Sequence, residues 1–302
     1  MLDEPKPSSG VISYGWKDQS EYNRRWTAPY GPGEGSAEVS ENAVILRATP
    51  FKTGADSGVY DHIKHFRLST QSFVVPKNGS FELAVDINSQ TPGTEPGRVI
   101  HGCYGPSGSF SSIDQKCTLP YAKPTLEGQQ ASAMMNMTGS NMQLFDWFVS
   151  GGHAFALIER LPSSVTSVAN FGLDKAYTQI IKETPITAGT HHFSIRYVRG
   201  RDVSSVEYFI DYQLFTHVDR VGIPLDVQGV PYTGTYPSLG PGEQLTIDEF
   251  LIGHGLFSCL DAFPFQHPDR PDLSVSFPMT ERLFGQGAVG TFKDFEVTTQ
   301  SR

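Results

Sequence analysis

Two acidic residues flanking one short apolar hairpin, Asp146 in MQLFDWFVS and Glu159 in HAFALIERL, are the side chains best suited to move a proton. Ser150-Gly151-Gly152 joins the two stretches, a composition that favours a tight β-turn. With the turn centred on the glycine pair, Asp146 falls opposite Leu157 and Leu144 opposite Glu159. The two acids then share a sheet face as diagonal neighbours, roughly 5–8 Å apart at the backbone. Flanked by Leu144, Phe148 and Leu157, such a pair has displaced pKa values, and one member can stay protonated and donate a hydrogen bond to a substrate oxygen. The structural alternative is an ion pair of Glu159 with Arg160, Arg196 or another base, with Asp146 accepting from backbone amides.

Histidine supplies the other acid–base candidates. His62 and His65 lie in YDHIKHF, followed by His101, His153, His191-His192, His217, His254 and His267. His65 and His254 are suited to serve as general acid or base in a pocket, and each can equally be a structural histidine. No H-x-E-x-H or C-x-x-C spacing occurs, so no metal site is expected. Nucleophile-elbow and phosphate-loop motifs are absent, and Gly285-Gln286-Gly287 lacks the third glycine at dinucleotide-binding spacing. No cofactor is expected. LFGQGAVG reads instead as a strand-edge turn that offers Gln286 to a ligand. Trp147 sits beside Asp146, Tyr60 joins Trp16, Trp26 and Tyr30 in irregular N-terminal segments, and methionines cluster at 134, 135, 137 and 142. Flexible and aromatic side chains of this kind line irregular apolar cavities or simply fill cores. The expected binding set is Tyr60, Met135, Trp147, Phe148, Leu157, His254 and Gln286.

The elements that must position these groups are strands. The 302 residues include 30 glycines and 21 prolines scattered like turns in a many-stranded protein. Candidate strands cover 43–51, 71–76 and 80–89, where Phe81, Leu83, Val85 and Ile87 alternate with Glu82, Ala84 and Asp86. The hairpin 142–150/153–161 follows. Then come HHFSIRYV, VEYFID and QLFTHVDRV, the last two joined by a tight turn at Asp211-Tyr212. Residues 1–42 form an N-terminal arm on a single domain spanning 43–302, residues 90–130 form a long functional loop or lid, and the final alternation Phe292, Phe295, Val297 pairs with an N-terminal strand.

Charge and cysteine bound the setting. The net charge is −9 without a basic cluster longer than Arg24-Arg25, which argues against nucleic acid and anionic membranes. No apolar run approaches the roughly 18 residues of a membrane span. Cys103 and Cys117 flank a Gly/Ser-rich stretch and can close a disulfide, whereas Cys259 in GLFSCLDAF reads as a buried small hydrophobe. Sequons at Asn78 and Asn136 add to a secretory or extracellular reading, although the opening MLDEPKPSSG is too polar for a signal peptide. Oligomeric state leaves no signature.

The phrase from His191 to Val221, strand, strand ending in Asp, turn, strand, resembles the late strands of concanavalin-like jelly-roll sandwiches, found in lectins, laminin-G-type modules and laminarinase-like glycosidases. YDHIKHF, SAMMNM, LFDWF, FALIERLP, THVDRVGIPLD, GHGLFSCLDAF and RLFGQGA also resemble, in the same order, a bacterial and fungal family of unknown function, over about residues 43–300. The resemblance implies an all-β fold, a concanavalin-like jelly-roll β-sandwich of two antiparallel sheets. Laminarinase-like enzymes carry E-x-D-x-x-E or E-x-D-x-E on one strand. Here Asp146 fits the central position, but position 144 is Leu and positions 148 and 149 are Phe and Val. The paired-carboxylate mechanism is therefore not expected. By analogy with cofactor-free fungal cyclases, including Diels–Alderases, the leading expectation is a cofactor-independent enzyme that orients an apolar small molecule for cyclisation. The alternative is a secreted carbohydrate-binding module or a non-standard glycoside-active enzyme.

Overall fold

Phe81, Leu83, Val85 and Ile87 all bury one side of β6 (Gly79–Gln90), while Glu82 and Asp86 alternate to the other side. A computed structural model, describing residues 10–53, 62–106, 117–160, 177–221, 243–260, 266–267, 270–276 and 279–301, turns this alternation into an antiparallel sheet. β13 (Thr190–Arg199) pairs with β6 so that Phe193 meets Val85, Ile195 meets Leu83 and Tyr197 meets Phe81. The full order is β15 (Gln213–Val218), β14 (Ser205–Ile210), β13, β6, β21 (Ala288–Ser301), β3 (Ala43–Ala48) and β2 (Ser36–Ser40), with β1 (Gly10–Ser13) also paired to β21. Asp211 and Tyr212 link β14 to β15 with φ of 49° and 66°. Two successive left-handed residues give the turn whose twist matches a hairpin. The last strand pairs with β1 and β3, as its alternation requires.

The second sheet runs β12 (Tyr177–Pro185), β11 (His153–Arg160), β10 (Leu144–Val149), β9 (Ser132–Gly139), β18 (Glu249–Phe257) and β4 (Ile63–Leu68), with β5 (Phe73–Val74) also on β18. A core of large side chains joins the two sheets. Phe81 stacks on Phe250 at 5.1 Å, and Trp147 meets Phe193 and Tyr208 at 5.2 and 5.5 Å. Each such side chain contributes about 1.5–3 kcal/mol by leaving water. The polar ends are matched too: the Trp147 indole N–H donates to the Ser194 carbonyl at 3.1 Å, and the Tyr208 hydroxyl to the Leu157 carbonyl at 2.8 Å. The architecture is an all-β, concanavalin-like jelly-roll sandwich of two antiparallel sheets.

Two expected irregular regions are ordered differently. Between residues 90 and 130 the described chain forms a hairpin of β7 (Val99–Pro106) and β8 (Leu119–Pro124), then a short helix α2 (Glu127–Gln130). The hairpin continues into a small sheet with β20 (Arg270–Ser276) and β19 (Gln266–His267). Cys103 and Cys117 form a disulfide across it, with Cα atoms 5.5 Å apart. The described part of the region holds a stapled sheet, because the backbone groups of β7 and β8 find strand partners. A minor pair, β16 (Arg220–Val221) and β17 (Glu243–Gln244), completes the strands.

Near the N-terminus, β1 is followed by helix α1 (Gln19–Arg25), started by the Asp18 carboxylate accepting the Glu21 amide at 2.9 Å. Trp16 and Trp26 belong to the core: they are 2% and 1% exposed and pack against Tyr14, Tyr22 and Phe295.

Candidate functional site

β10 and β11 are buried on both faces, and the two faces differ. Phe145, Trp147 and Val149 enter the core between the sheets together with Ala154, Ala156 and Ile158. Phe148, Phe155 and Leu157 point the other way, joining Phe66, Met134, Ile180, Phe257 and Cys259 in a second apolar cluster on the outer face of the seven-stranded sheet. Asp146 and Glu159 have the parity of this outer group. The hairpin register pairs Asp146 with Leu157 and Leu144 with Glu159, as the glycine turn requires.

Here the outer face is recessed, with an open volume of about 460 Å³ counting its mouth. Phe148, Phe155, Leu157, Ile180 and Cys259 supply apolar lining, with Phe148 and Phe155 stacked at 5.1 Å and nearly parallel. Glu159, Thr178, His62, Lys123 and Gln129 supply the polar lining. Lys123 belongs to β8 and Gln129 to α2, so the disulfide-stapled region covers part of the sheet face. Thr178 faces Glu159 across the β11–β12 pairing and donates to its carboxylate at 3.4 Å.

Asp146 lies beside this recess without bordering it, only 1% exposed. One carboxylate oxygen, Oδ1, accepts from the Asn136 amide at 2.5 Å, and Oδ2 has no hydrogen-bond partner. Burial pushes its pKa well above the usual carboxylate range, and the negative charge of Glu159 pushes it further. The Asn136 hydrogen bond works in the opposite direction. Of the bases named as structural partners for Glu159, Arg160 pairs with Glu243, and Arg196 with Glu82 and Glu207, while another base, Lys123, lines the same recess as Glu159. This arrangement sets a buried carboxyl with a raised pKa beside a second acid that lines the recess.

Phe148 and Leu157 thus stand with the acid pair. The other expected site residues among the described ones do not. Met135 and Trp147 have the opposite strand parity and lie in the sandwich core. His65 pairs with the core-facing Leu256, its Nδ1 lies 3.2 Å from the Glu34 carbonyl, and burial lowers its pKa. His254 is fully buried among Trp26, Tyr22, Phe292 and Phe295, with Nε2 2.8 Å from the Tyr22 hydroxyl. Its pKa is pushed well down by burial, then by the charges of His65 and Arg67. Gln286 is not offered to a ligand: it accepts from the Phe284 amide and donates to the Arg282 carbonyl, pinning its own turn. Tyr60 lies outside the described residues.

Asn78 is exposed, but Asn136 is fully buried with its amide nitrogen committed to Asp146. The folded protein leaves no room for a glycan there, which corrects the second sequon. Thr178, His62, Lys123, Gln129 and Cys259 escaped sequence reasoning as site residues, because they reach the recess from four separate segments. Asn136 carried a usable signal: its alternation with Met135 and Met137 places it on the Asp146 face. Among the described residues no group of three or more His, Cys, Asp or Glu converges to hold a metal ion, and no helix is long and apolar enough to cross a membrane.

Residues 118–301 match the model of a family of unknown function, DUF6081. The chain belongs to that family. Curated proteins give no significant match. Among solved structures, an endo-1,3-β-glucanase from Streptomyces sioyaensis is 12% identical, with 99% of this chain and 100% of that chain covered and a TM-score of 0.42. β-Agarase B from Zobellia galactanivorans is 11% identical, with coverage of 97% and 95% and a TM-score of 0.45. A legume lectin-like domain from Entamoeba histolytica is 10% identical, with coverage of 98% and 100% and a TM-score of 0.41. At such values these are comparators of overall shape, and the site must be argued from its own residues.

Proposed function

We propose that this protein is carbohydrate-active, holding a short saccharide in the recess on the outer face of the seven-stranded sheet. Glu159 is the acid–base group that meets the sugar, and Asp146 is its buried neighbour. The observation that carries this reading is the two-sided lining of the recess: stacked Phe148 and Phe155 with Leu157 on one part, and Glu159, Thr178, Gln129, Lys123 and His62 on the other. A sugar ring presents C–H faces that suit aromatic carbon and hydroxyls that suit polar groups.

A two-carboxylate glycosidase does not fit. Retaining and inverting mechanisms both need two carboxyl groups facing the scissile bond. Asp146 is 1% exposed and does not border the recess, so among the described residues lining it Glu159 is the one carboxyl. The proposed chemistry is therefore sugar capture with proton transfer at a single acid. An oxidising, extracytoplasmic setting belongs to the same proposal and is supported by the Cys103–Cys117 disulfide. The cyclisation reading draws on one specific observation, the apolar part of the recess, and the same experiment separates the two.

Calorimetric titration against a panel of neutral and acidic oligosaccharides, with apolar polyenes as a second arm, tests the proposal. Glu159→Gln should bind the captured saccharide about ten- to a hundred-fold more weakly, the loss expected for a hydrogen bond to a charged group. Its melting temperature should stay near the wild-type value. Saturable binding of a polyene with no response to any saccharide sinks the carbohydrate reading.

A further inference from the structure

The sequon Asn136-Met137-Thr138 is buried, and its two polar side chains point at the acid pair. On β9, Asn136 and Thr138 are two residues apart and share a face, and Asn136 sits directly across from Asp146. Thr138 Oγ1 donates to Asn136 Oδ1 at 2.5 Å, and Asn136 Nδ2 donates to Asp146 Oδ1 at 2.5 Å. An amide has one acceptor end and one donor end, so with Oδ1 taken by Thr138 it is Nδ2 that meets Asp146. Asp146 Oδ1 is thereby held from the β9 side, while Glu159 acts from β11 on the other side of β10. Oδ2 is left buried with no donor at all.

We infer that Asp146 carries a proton on Oδ2 in the folded protein, and that Asn136 and Thr138 are positioning residues that decide which of its oxygens holds it. The physical reason is the asymmetry of the site. An ionised carboxylate would leave a charged oxygen in a dry environment without a donor, next to a second acid. Protonation of Oδ2 removes that charge and creates a donor, while Oδ1 keeps the amide. Glu159 from β11 acts on Asp146, and Tyr208 of β14 in the opposite sheet has its own pKa raised by burial and then by Asp146. From α2, which also packs on this hairpin, Glu127 is turned instead to Thr91, Thr94 and His153. His62 and Lys123 line the adjoining recess. The inference concerns the acid pair alone and holds whatever ligand the recess takes, so the saccharide proposal can fail without it.

Carboxyl-¹³C NMR of the full chain labelled at aspartate tests the inference, with Asp146→Asn assigning the resonance. In the wild type the Asp146 signal should be that of a neutral acid at pH 7 and should titrate above the ordinary aspartate range. Asn136→Leu should move the midpoint upward by about one to two pH units, because the donor that favours the ionised form is gone. Thr138→Val should move it the same way by less, and Thr138→Ser should restore the wild-type midpoint. A purely structural role would lower melting temperature without moving the titration. An ionised Asp146 at neutral pH, or a midpoint indifferent to Asn136→Leu and Thr138→Val, overturns the inference. Should those two variants fail to fold, the wild-type and Thr138→Ser titrations decide: a neutral carboxyl in both supports it, an ionised one in either refutes it.

Discussion

Replacing Asp146 by asparagine should make the protein relatively more stable as the pH rises. The substitution is nearly isosteric: the new carbonyl oxygen can still accept from Asn136, and the new NH₂ takes the position of the partnerless Oδ2. What disappears is a titrating group whose folded pKa is raised by burial and by Glu159. A carboxyl raised in the folded state keeps its proton after the unfolded chain, with an ordinary pKa of about 3.9, has released it. The native state then binds more protons than the unfolded state. Stability contributed by Asp146 is fully present below the unfolded pKa and is lost as pH climbs toward the folded one. For one proton the slope is about 1.4 kcal/mol per pH unit, so two units inside the window give about 2.7 kcal/mol. Urea melts of wild type and Asp146→Asn at intervals from about pH 5 to pH 8 measure it, since subtraction cancels every group common to both. The mutant-minus-wild-type stability should rise along that slope. A flat difference would mean that Asp146 does not titrate there, and a falling one would mean an ionised, stabilised carboxylate; either refutes the account of the site.

Other consequences are simpler to check. Reducing Cys103–Cys117, which closes a segment of 14 residues, should cost up to about 3 kcal/mol of chain entropy in the unfolded state. Hydrogen exchange should accelerate in β7 and β8 while β10 and β11 stay protected; uniform exchange throughout would show that the staple is not local. Trp147→Phe loses the bond to the Ser194 carbonyl and part of the packing against Phe193, Tyr208 and Phe215, so it should destabilise by about 1–3 kcal/mol and leave ligand affinity unchanged. Expression through a secretory host should give glycopeptides at Asn78 and none at Asn136, read by mass spectrometry.

The hairpin shows how far residue patterns reach. Gly151-Gly152 between two apolar runs is enough to set the turn, and the turn sets the pairing of Asp146 with Leu157, because strand registry is rigid once its closed end is known. The same logic covers the Asp211-Tyr212 turn, the β6–β13 core pairs and the disulfide, all local or strictly periodic features. Trp147 and Met135 went astray for a related reason. β10 and β9 are buried on both faces, so alternation separates their residues into two sets without saying which set faces the opposite sheet.

Residue order alone therefore determined an all-β sandwich, the Cys103–Cys117 staple and two acids on one sheet face, because period-2 alternation and short turns act over a few residues. Packing alone decided that this face lies outside the central core, that Asn136 is an internal donor rather than a glycan site, and that Lys123 and Gln129 come to the recess from a separate sheet and helix. Those outcomes depend on which layers cover which surfaces. Burial and neighbouring charge, the two influences that set the proton affinity of Asp146, are properties of that three-dimensional enclosure and are not written in any local stretch of chain.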